Sequence, residues 1–201
     1  MDKSRVKRGK GPKTKMKDWN YRARALPFLM EDFDSRCGYS MRHSIRGGEE
    51  CLEVDHFNPT LKHSRRNAYT NMILAFRTCN NRKRDNWPTS AQRKAGVRFL
   101  NPTKEHDYGS HIFEDWNTGK LVATSPAGYY HIEMLGLNSS TFVSERKNRT
   151  ELMDLISDPR QLQFKARDPG EILLGLEVLA KMLREMIPPI PPLPKGAETI
   201  P

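Results

Sequence analysis

The segment "CLEVDHFNPTLKHSRRNAYTNMILAFRTCNNRKRDNWP", residues 51–88, places an Asp-His pair directly before an Asn-Pro dipeptide. Its runs "LEVDHF" and "NMILAF" have the apolar and β-branched composition of short strands, and the polar stretch between them predicts a loop. The stretch "NNRKRDN" that follows has room for about two helical turns before Pro88. The segment therefore predicts a strand, a loop, a second strand and a short helix.

Asp55 and His56 lie together at the end of the first predicted strand. Hydrolysis of a phosphodiester needs a base, a cation that neutralises charge on the phosphate, and a fixed geometry. Asp55 offers an anionic oxygen for a hard cation, and an imidazole such as that of His56 accepts a proton near neutral pH. Because successive strand residues point to opposite faces, we expect the turn at Asn58-Pro59 to bring both side chains to one cleft.

Two asparagines complete the predicted site. Asn80 is predicted to begin the short helix, where its amide oxygen would be a second metal ligand and the helix N-terminus favours a phosphate. Asn71, at the start of the second strand, is predicted to hydrogen-bond the loop that carries His56. Arg82, Lys83 and Arg84 then fall in the first helical turn, where the dipole disfavours cations by about 0.3–1 kcal/mol each. We therefore expect these three side chains to face a nucleic-acid backbone.

The overall charge points to an anionic partner. The 201 residues carry a formal net charge of +10, which favours nucleic acid over the weaker alternative of a membrane surface. Lys62, Arg65 and Arg66 of the predicted loop are further candidates for phosphate contact, with a merely solvated loop as the alternative. The chain has no apolar run near the roughly 20 residues that span a bilayer, and its N-terminus lacks the apolar core of a signal peptide. We expect a cytoplasmic protein.

The order "LEVDHFNP…N…NMILAFRTCNNRK" resembles that of the HNH endonucleases, whose core is a ββα-metal fold. The resemblance covers about residues 35–88. It implies that His56 is the general base and that Asp55 and Asn80 are the metal ligands. It also implies that Asn71 positions the loop that carries the base.

The sequence departs from many members of that family at the zinc knuckles, which usually contain two CxxC pairs. Here the corresponding places read "CGYS" and "FRTC", so Cys37 and Cys79 remain while Ser40 and Phe76 replace their partners. We therefore expect no structural zinc, with apolar packing around Phe76 in its place. Since the catalytic ligands are carboxylate and amide oxygens, with Asn80 where relatives have His, Mg²⁺ or Mn²⁺ is favoured as cofactor.

The later segment "IFEDWNTGKLVATSPAGYYHIEMLGLNSSTFVSERKNRTELMDLI" is similar to the downstream part of bacterial HNH proteins found beside ATPases in antiphage defence, of the Septu kind. This resemblance implies a larger protein partner such as an ATPase. It also implies a role as the nuclease effector of a defence complex.

These observations predict an α+β protein with a ββα-metal core and a C-terminal helical extension. Pro27 predicts that the first helix starts near it. Residues 89–130 are expected to be extended pieces joined by turns, followed by helices at 138–156 and 170–187. The predicted regions are a basic flexible arm (1–17), the HNH core (18–95), a β-rich or irregular segment with the C-terminal helices (96–187), and an exposed Pro-rich tail (188–201).

The sequence thus predicts a metal-dependent HNH endonuclease that hydrolyses phosphodiester bonds, with DNA preferred to RNA as the expected substrate. An RNase is one alternative, because none of these residues separates ribose from deoxyribose. The other is a non-catalytic subunit that uses the same core to hold nucleic acid or a protein. Metal binding at Asp55 and Asn80 would separate a nuclease from such a scaffold.

Overall fold

The structure is a computed structural model that describes residues 6, 8–12, 20–44, 48–103, 108–157, 170, 173–177, 179 and 190–200. The regular elements in this part of the chain are α1 (Tyr21–Asp32), β1 (Leu52–His56), α2 (His63–Arg66), β2 (Met72–Phe76), α3 (Arg77–Lys83), α4 (Ser90–Lys94), α5 (Tyr108–His111), β3 (Ile112–Asp115), β4 (Lys120–Ala123), α6 (Pro126–Leu135) and α7 (Ser140–Ser157). Helices thus combine with two small sheets, which confirms the predicted α+β class.

The first sheet is the pair that the opening segment predicts. β1 and β2 are antiparallel, and Asp55 and His56 lie opposite Ile73 and Met72. All five residues of β2 are buried, because helices and loops cover both faces of this apolar run. The helix α3 follows β2 without a loop and packs on both strands. The predicted order of strand, loop, strand and short helix is confirmed, and the loop contains the additional short helix α2.

Pro27 does not start the first helix. It lies inside α1, which begins six residues earlier at Tyr21, so this part of the prediction is wrong. Pro27 is on the exposed side, where the carbonyl that loses its hydrogen bond can meet water, while Ala25 and Leu29 are completely buried. Packing of that apolar face outweighs the local preference of proline.

The segment 89–130 contains more helix than the sequence analysis predicts. A two-stranded sheet is present as β3 and β4, but the segment also contains α4, α5 and the start of α6. α6 has clear end signals, since the Ser125 hydroxyl accepts from Gly128 N, Pro126 occupies the first turn, and Gly136 ends the helix with φ of 57°. A Cβ at Gly128 would come within 2.0 Å of the His111 carbonyl oxygen, so close packing of backbones requires glycine here.

The prediction for the chain after α6 is confirmed in part. α7 spans Ser140–Ser157 and corresponds to the helix predicted at 138–156. The second predicted helix, at 170–187, lies mainly outside the described residues. Most of the described residues of the Pro-rich tail are exposed, as predicted, although Ile190 is buried and the segment 190–200 binds both strands of the second sheet. Glu114 N donates to the Pro191 carbonyl at 2.9 Å, and Ile200 N donates to the Ala123 carbonyl at 2.8 Å.

Some of the described residues of the basic arm contact the rest of the protein, and the flexibility of the arm as a whole stays a prediction. The guanidinium of Arg8 donates to the carbonyl of Met72 and lies 5.0 Å from the centre of the Tyr69 ring. Gly9 N donates to Asp32 Oδ1 at 2.7 Å. A cation on an aromatic face, partly removed from water, is worth about 0.5–2 kcal/mol, and charge composition alone did not reveal it.

One hydrophobic cluster joins α1, β1 and β2 to the second sheet and α6. It fixes the first sheet and α3 relative to the rest of the described chain. No helix in the described ranges is both long and apolar enough to cross a membrane.

Candidate active site

Asp55 is buried at the end of β1, and its carboxylate has two donors on one oxygen. Oδ2 accepts from the hydroxyl of Tyr39 and from the ammonium of Lys83, the latter at 2.9 Å. Lys83 also donates to the carbonyl of His56 at 3.0 Å. Within the described chain, every hydrogen bond of this carboxylate is made by Oδ2. Oδ1 therefore remains available to a cation or to water.

The ring of His56 is held from two sides. Its Nε2 lies 2.8 Å from Asn67 Oδ1, and the Tyr21 ring packs against it with centroids 4.7 Å apart. Since an amide oxygen only accepts, Nε2 carries the proton of the neutral ring and Nδ1 has the free lone pair. Burial, together with the positive charge of Arg66, lowers the pKa of His56 despite its hydrogen bond to Asn67. The imidazole is therefore neutral at neutral pH, the form that a general base requires.

Asn71 makes the contacts that the sequence predicts. Its Oδ1 accepts from Asn58 N at 3.0 Å, and its Nδ2 donates to the carbonyls of Asn58 at 3.1 Å and Arg66 at 3.0 Å. Asn58 in turn closes the turn by accepting from Thr60 N at 3.0 Å. A single buried amide thus joins both ends of the loop after His56. Its geometry suits the predicted positioning role, which stays a prediction.

Asn80 is the fourth residue of α3, which begins at Arg77, so the prediction that Asn80 starts this helix is wrong. Arg82 and Lys83 consequently lie in the last turn, where the helix dipole favours cations. The amide nitrogen of Asn80 donates to Glu53 Oε2 at 3.0 Å. Glu53 and Asp55 are two apart on β1 and share a face of the strand, so Asn80 meets the face that carries Asp55, next to Glu53.

Of the three basic residues that were predicted to face nucleic acid, Arg82 and Arg84 are exposed and Lys83 is not. Lys83 is completely buried on Asp55, which corrects its prediction as a phosphate contact. The guanidinium of Arg82 binds the end of α6, donating to the carbonyls of Leu135 at 3.1 Å and Gly136 at 2.6 Å. Arg84, the residue after α3, is exposed and donates to the carbonyl of Asn81 at 3.1 Å. The burial of Lys83 and the partners of Arg82 depend on the tertiary fold and leave no local signal in the sequence.

The loop residues are better placed for contact with a polyanion. Lys62 and Arg65 are exposed, and Arg66 is partly exposed, with its guanidinium 3.6 Å from Asp85. All three belong to the loop that Asn71 joins and that follows His56. The predicted base and these cations are therefore in adjoining parts of the chain, since His56 ends β1 and the cations lie in the loop that follows.

His131 is a buried residue whose link to the site the sequence analysis missed. Its Nδ1 accepts from Leu100 N at 3.1 Å, so its Nε2 carries the proton and donates to the Tyr39 carbonyl at 3.0 Å. The hydroxyl of the same tyrosine donates to Asp55. α6 thus supports Asp55 through Tyr39. The only sequence signal was an unassigned histidine among apolar residues.

Cys37, Ser40, Phe76 and Cys79, the positions at which the sequence departs from a zinc knuckle, lie together. Cys37 and Cys79 are buried free thiols. Although burial raises the pKa of the Cys37 thiol, hydrogen bonds from Cys79 and Ser40 lower it to about 6. Phe76 is buried, with the Arg42 guanidinium 4.7 Å from the centre of its ring. The expectation that no zinc binds here stays a prediction.

The oxygen atoms near α3 and β1 suit a hard divalent cation. No group of three or more His, Cys, Asp and Glu side chains among the described residues is arranged to hold a metal ion. A site made from Asp55 Oδ1 and Asn80 Oδ1 would supply two protein ligands, which fits Mg²⁺ because it keeps several waters. Two observations agree with this fit: Tyr39 and Lys83 occupy only Oδ2 of Asp55, and Asn80 commits its nitrogen to Glu53.

Comparison with known proteins agrees with the geometry. A family model described as HNH endonuclease matches residues 35–86. This range contains β1, β2 and α3 with all four predicted catalytic and metal-binding residues. A search of curated proteins finds no match, and neither does a search of solved structures. Residues 35–86 are therefore similar to the HNH endonucleases, a family of nucleases and hence of phosphodiester hydrolases.

Proposed function

We propose that the protein is a metal-dependent endonuclease that hydrolyses DNA, with the site on β1, α3 and the loop after His56. The observation that supports this most directly is the oriented imidazole of His56 at the end of β1, next to the loop that Asn71 joins. Asp55 and Asn80, on the adjoining strand face and helix, would hold the cation. Lys62 and Arg65 are exposed residues of this loop and would contact the phosphates.

In the proposed mechanism, Nδ1 of His56 takes a proton from the attacking water. Asn67 holds Nε2, and the Tyr21 ring limits rotation of the imidazole, so the lone pair keeps a fixed direction. Lys83 donates to Oδ2 of Asp55 at 2.9 Å and thereby helps to fix the orientation of the carboxylate, whose Oδ1 would face the cation. A bound Mg²⁺ or Mn²⁺ would supply the Lewis acid that neutralises charge on the phosphate and the leaving oxygen.

The wider context is proposed on the resemblance of residues 112–156 to HNH proteins of antiphage defence. In this proposal the chain is the nuclease effector of a cytoplasmic complex with a larger partner such as an ATPase. The resemblance is separate from the site, so failure of the defence role leaves the nuclease proposal intact.

A cleavage assay tests the proposed activity. The purified protein, His56→Ala and the control His63→Ala, an exposed histidine of α2, are incubated with plasmid DNA or total RNA in Mg²⁺, Mn²⁺ or EDTA. We expect metal-dependent cutting of DNA by the wild type and the control, and none by His56→Ala. Cutting of RNA alone would change the substrate and keep the site. Cutting that is equal in His56→Ala, or unaffected by EDTA, would refute the mechanism.

A binding assay separates the nuclease from a scaffold. Steep loss of DNA affinity with added salt is expected in either case, because phosphate contacts release counterions. A scaffold has no need of Mn²⁺ at Asp55. If the protein is a nuclease, the wild type should bind Mn²⁺ and Asp55→Ala should not. If Mn²⁺ affinity is the same in Asp55→Ala, the proposed cation site is refuted.

A further inference from the structure

Glu53 is not among the proposed cation ligands, but it lies on the strand face that carries Asp55. Both of its carboxylate oxygens have partners. Oε1 accepts from Arg77 Nε at 2.6 Å, and Oε2 accepts from Asn80 Nδ2 at 3.0 Å. Arg77 is exposed and also donates to the Glu50 carbonyl at 3.3 Å, which ties the start of α3 to the residues before β1. Glu53 is therefore held in place between a cation and an amide.

The contact with Glu53 selects one of two orientations of the Asn80 amide. An amide presents an oxygen that can bind a cation and an NH₂ group that cannot, and a half-turn exchanges them. A carboxylate only accepts hydrogen bonds, so it can pair with the NH₂ and not with the oxygen. With Nδ2 on Glu53, Oδ1 occupies the other arm of the amide. In this orientation Asn80 can act as a metal ligand.

We propose that Glu53 is a positioning residue of the cation site, which holds Asn80 Nδ2 so that Oδ1 is presented to Mg²⁺ or Mn²⁺, and that Arg77 holds Glu53 in turn. This inference rests on the proposed function. It adds an outer layer to that site: neither residue binds the cation, and both act through Asn80. Hydrogen-bonding groups of this kind behind a metal ligand typically contribute a factor of about 10–100 in metal affinity.

Mn²⁺ titration of the full chain, followed by calorimetry, tests the proposal in the absence of nucleic acid. We expect Glu53→Ala to weaken Mn²⁺ binding by about 10–100-fold. Glu53→Gln should retain most of the affinity, because its amide oxygen can still accept from Asn80. The matched control is Glu50→Gln, which removes the same charge from an exposed residue three positions away whose side chain is not part of this chain of contacts.

The outcomes distinguish failure of the proposed role of Glu53 from failure of the proposed nuclease function. If the wild type binds Mn²⁺ and Glu53→Ala binds it equally well, the inference fails and the nuclease proposal stands. Equal losses in Glu53→Gln and Glu53→Ala would assign the effect to charge or direct ligation and also overturn the inference. If the wild type itself does not bind Mn²⁺, both proposals fail.

A second measurement needs neither metal nor activity. The side-chain NH₂ of Asn80 should give an amide resonance with the downfield shift of a hydrogen bond to a carboxylate, assigned by its loss in Asn80→Ala. We expect this shift to disappear in Glu53→Ala, persist in Glu53→Gln and weaken in Arg77→Met, which changes only an exposed side chain. An unchanged resonance in folded Glu53→Ala would refute the contact on which the inference depends.

Discussion

Replacement of Lys83 by Met removes a cation that the sequence assigned to the surface and the structure places in the interior. Its side chain is 0 % exposed, and that of Asp55 is 9 % exposed. Methionine has a similar length and is accommodated in apolar surroundings. The variant leaves the Asp55 carboxylate buried with Tyr39 as its remaining described donor, and it removes the donor to the His56 carbonyl.

The magnitude follows from the geometry of this pair. At 2.9 Å and an effective dielectric constant near 20, the gross attraction is about 6 kcal/mol before desolvation is subtracted. Removing one partner of a buried pair costs about 3–5 kcal/mol, because the other charge stays buried without compensation. We therefore expect Lys83→Met to lower the free energy of unfolding by about 3–5 kcal/mol, a large part of the 5–15 kcal/mol typical of a domain.

Urea unfolding measures this loss. Circular dichroism would be recorded together with the fluorescence of the three tryptophans. One of these, Trp87, reports on the core, because its ring packs against Phe57 and Phe99 with centroids 5.4 and 6.1 Å apart. Lys62→Met is the control, since an exposed lysine should change stability by no more than about 0.5 kcal/mol. The double variant Lys83→Met/Asp55→Asn should lose less than the sum of the single losses. A loss below about 1 kcal/mol in Lys83→Met, or strict additivity, would refute the buried ion pair.

Three further predictions concern the site and its surroundings. Asn71→Ala should reduce kcat while Mn²⁺ affinity is retained, because its contacts hold the loop after His56; equal losses in both, measured by kinetics and calorimetry, would contradict this. Because the pKa of His56 is lowered, the cleavage rate should stay constant as the pH falls and should drop only when the pH passes through that lowered pKa. Arg66→Gln should raise the pKa of His56 and so move the acid limb of the pH–rate profile to higher pH. Arg82→Ala should destabilise the protein by about 1–3 kcal/mol without changing the salt dependence of DNA binding. Lys62→Ala should instead reduce the slope of log K for DNA binding against log salt concentration by about 0.9.

The first sheet and α3 were predictable because their signals are local. Two apolar runs of strand length flank a polar loop, and the Asn58-Pro59 turn ends the first. The contact between Asn71 and the loop was also predictable, since it needs only the antiparallel pairing of those runs. Resemblance to a known family added roles for the residues, and those roles remain predictions.

The errors in the sequence analysis share a different cause. Burial of Lys83 depends on Asp55, Tyr39 and the aromatic residues around them, which are distant in the chain. Pro27 was given its average preference, although the exposed side of α1 tolerates it. α6 was missed because Gly128 reads as a turn residue until the backbone of His111 is seen to lie against it. In each case a contact between distant segments overrides the local signal.

The segment 190–200 has a consequence for how the protein behaves in a crowded solution. A two-stranded hairpin has unpaired backbone groups along both outer strands, and such edges invite addition of a strand from another molecule. Here Pro191 and Leu193 pair with Glu114 on one edge, while Ile200 pairs with Ala123 on the other. An incoming strand must first displace these residues. The Pro-rich segment thus covers both edges of this hairpin and hinders sheet extension and aggregation there.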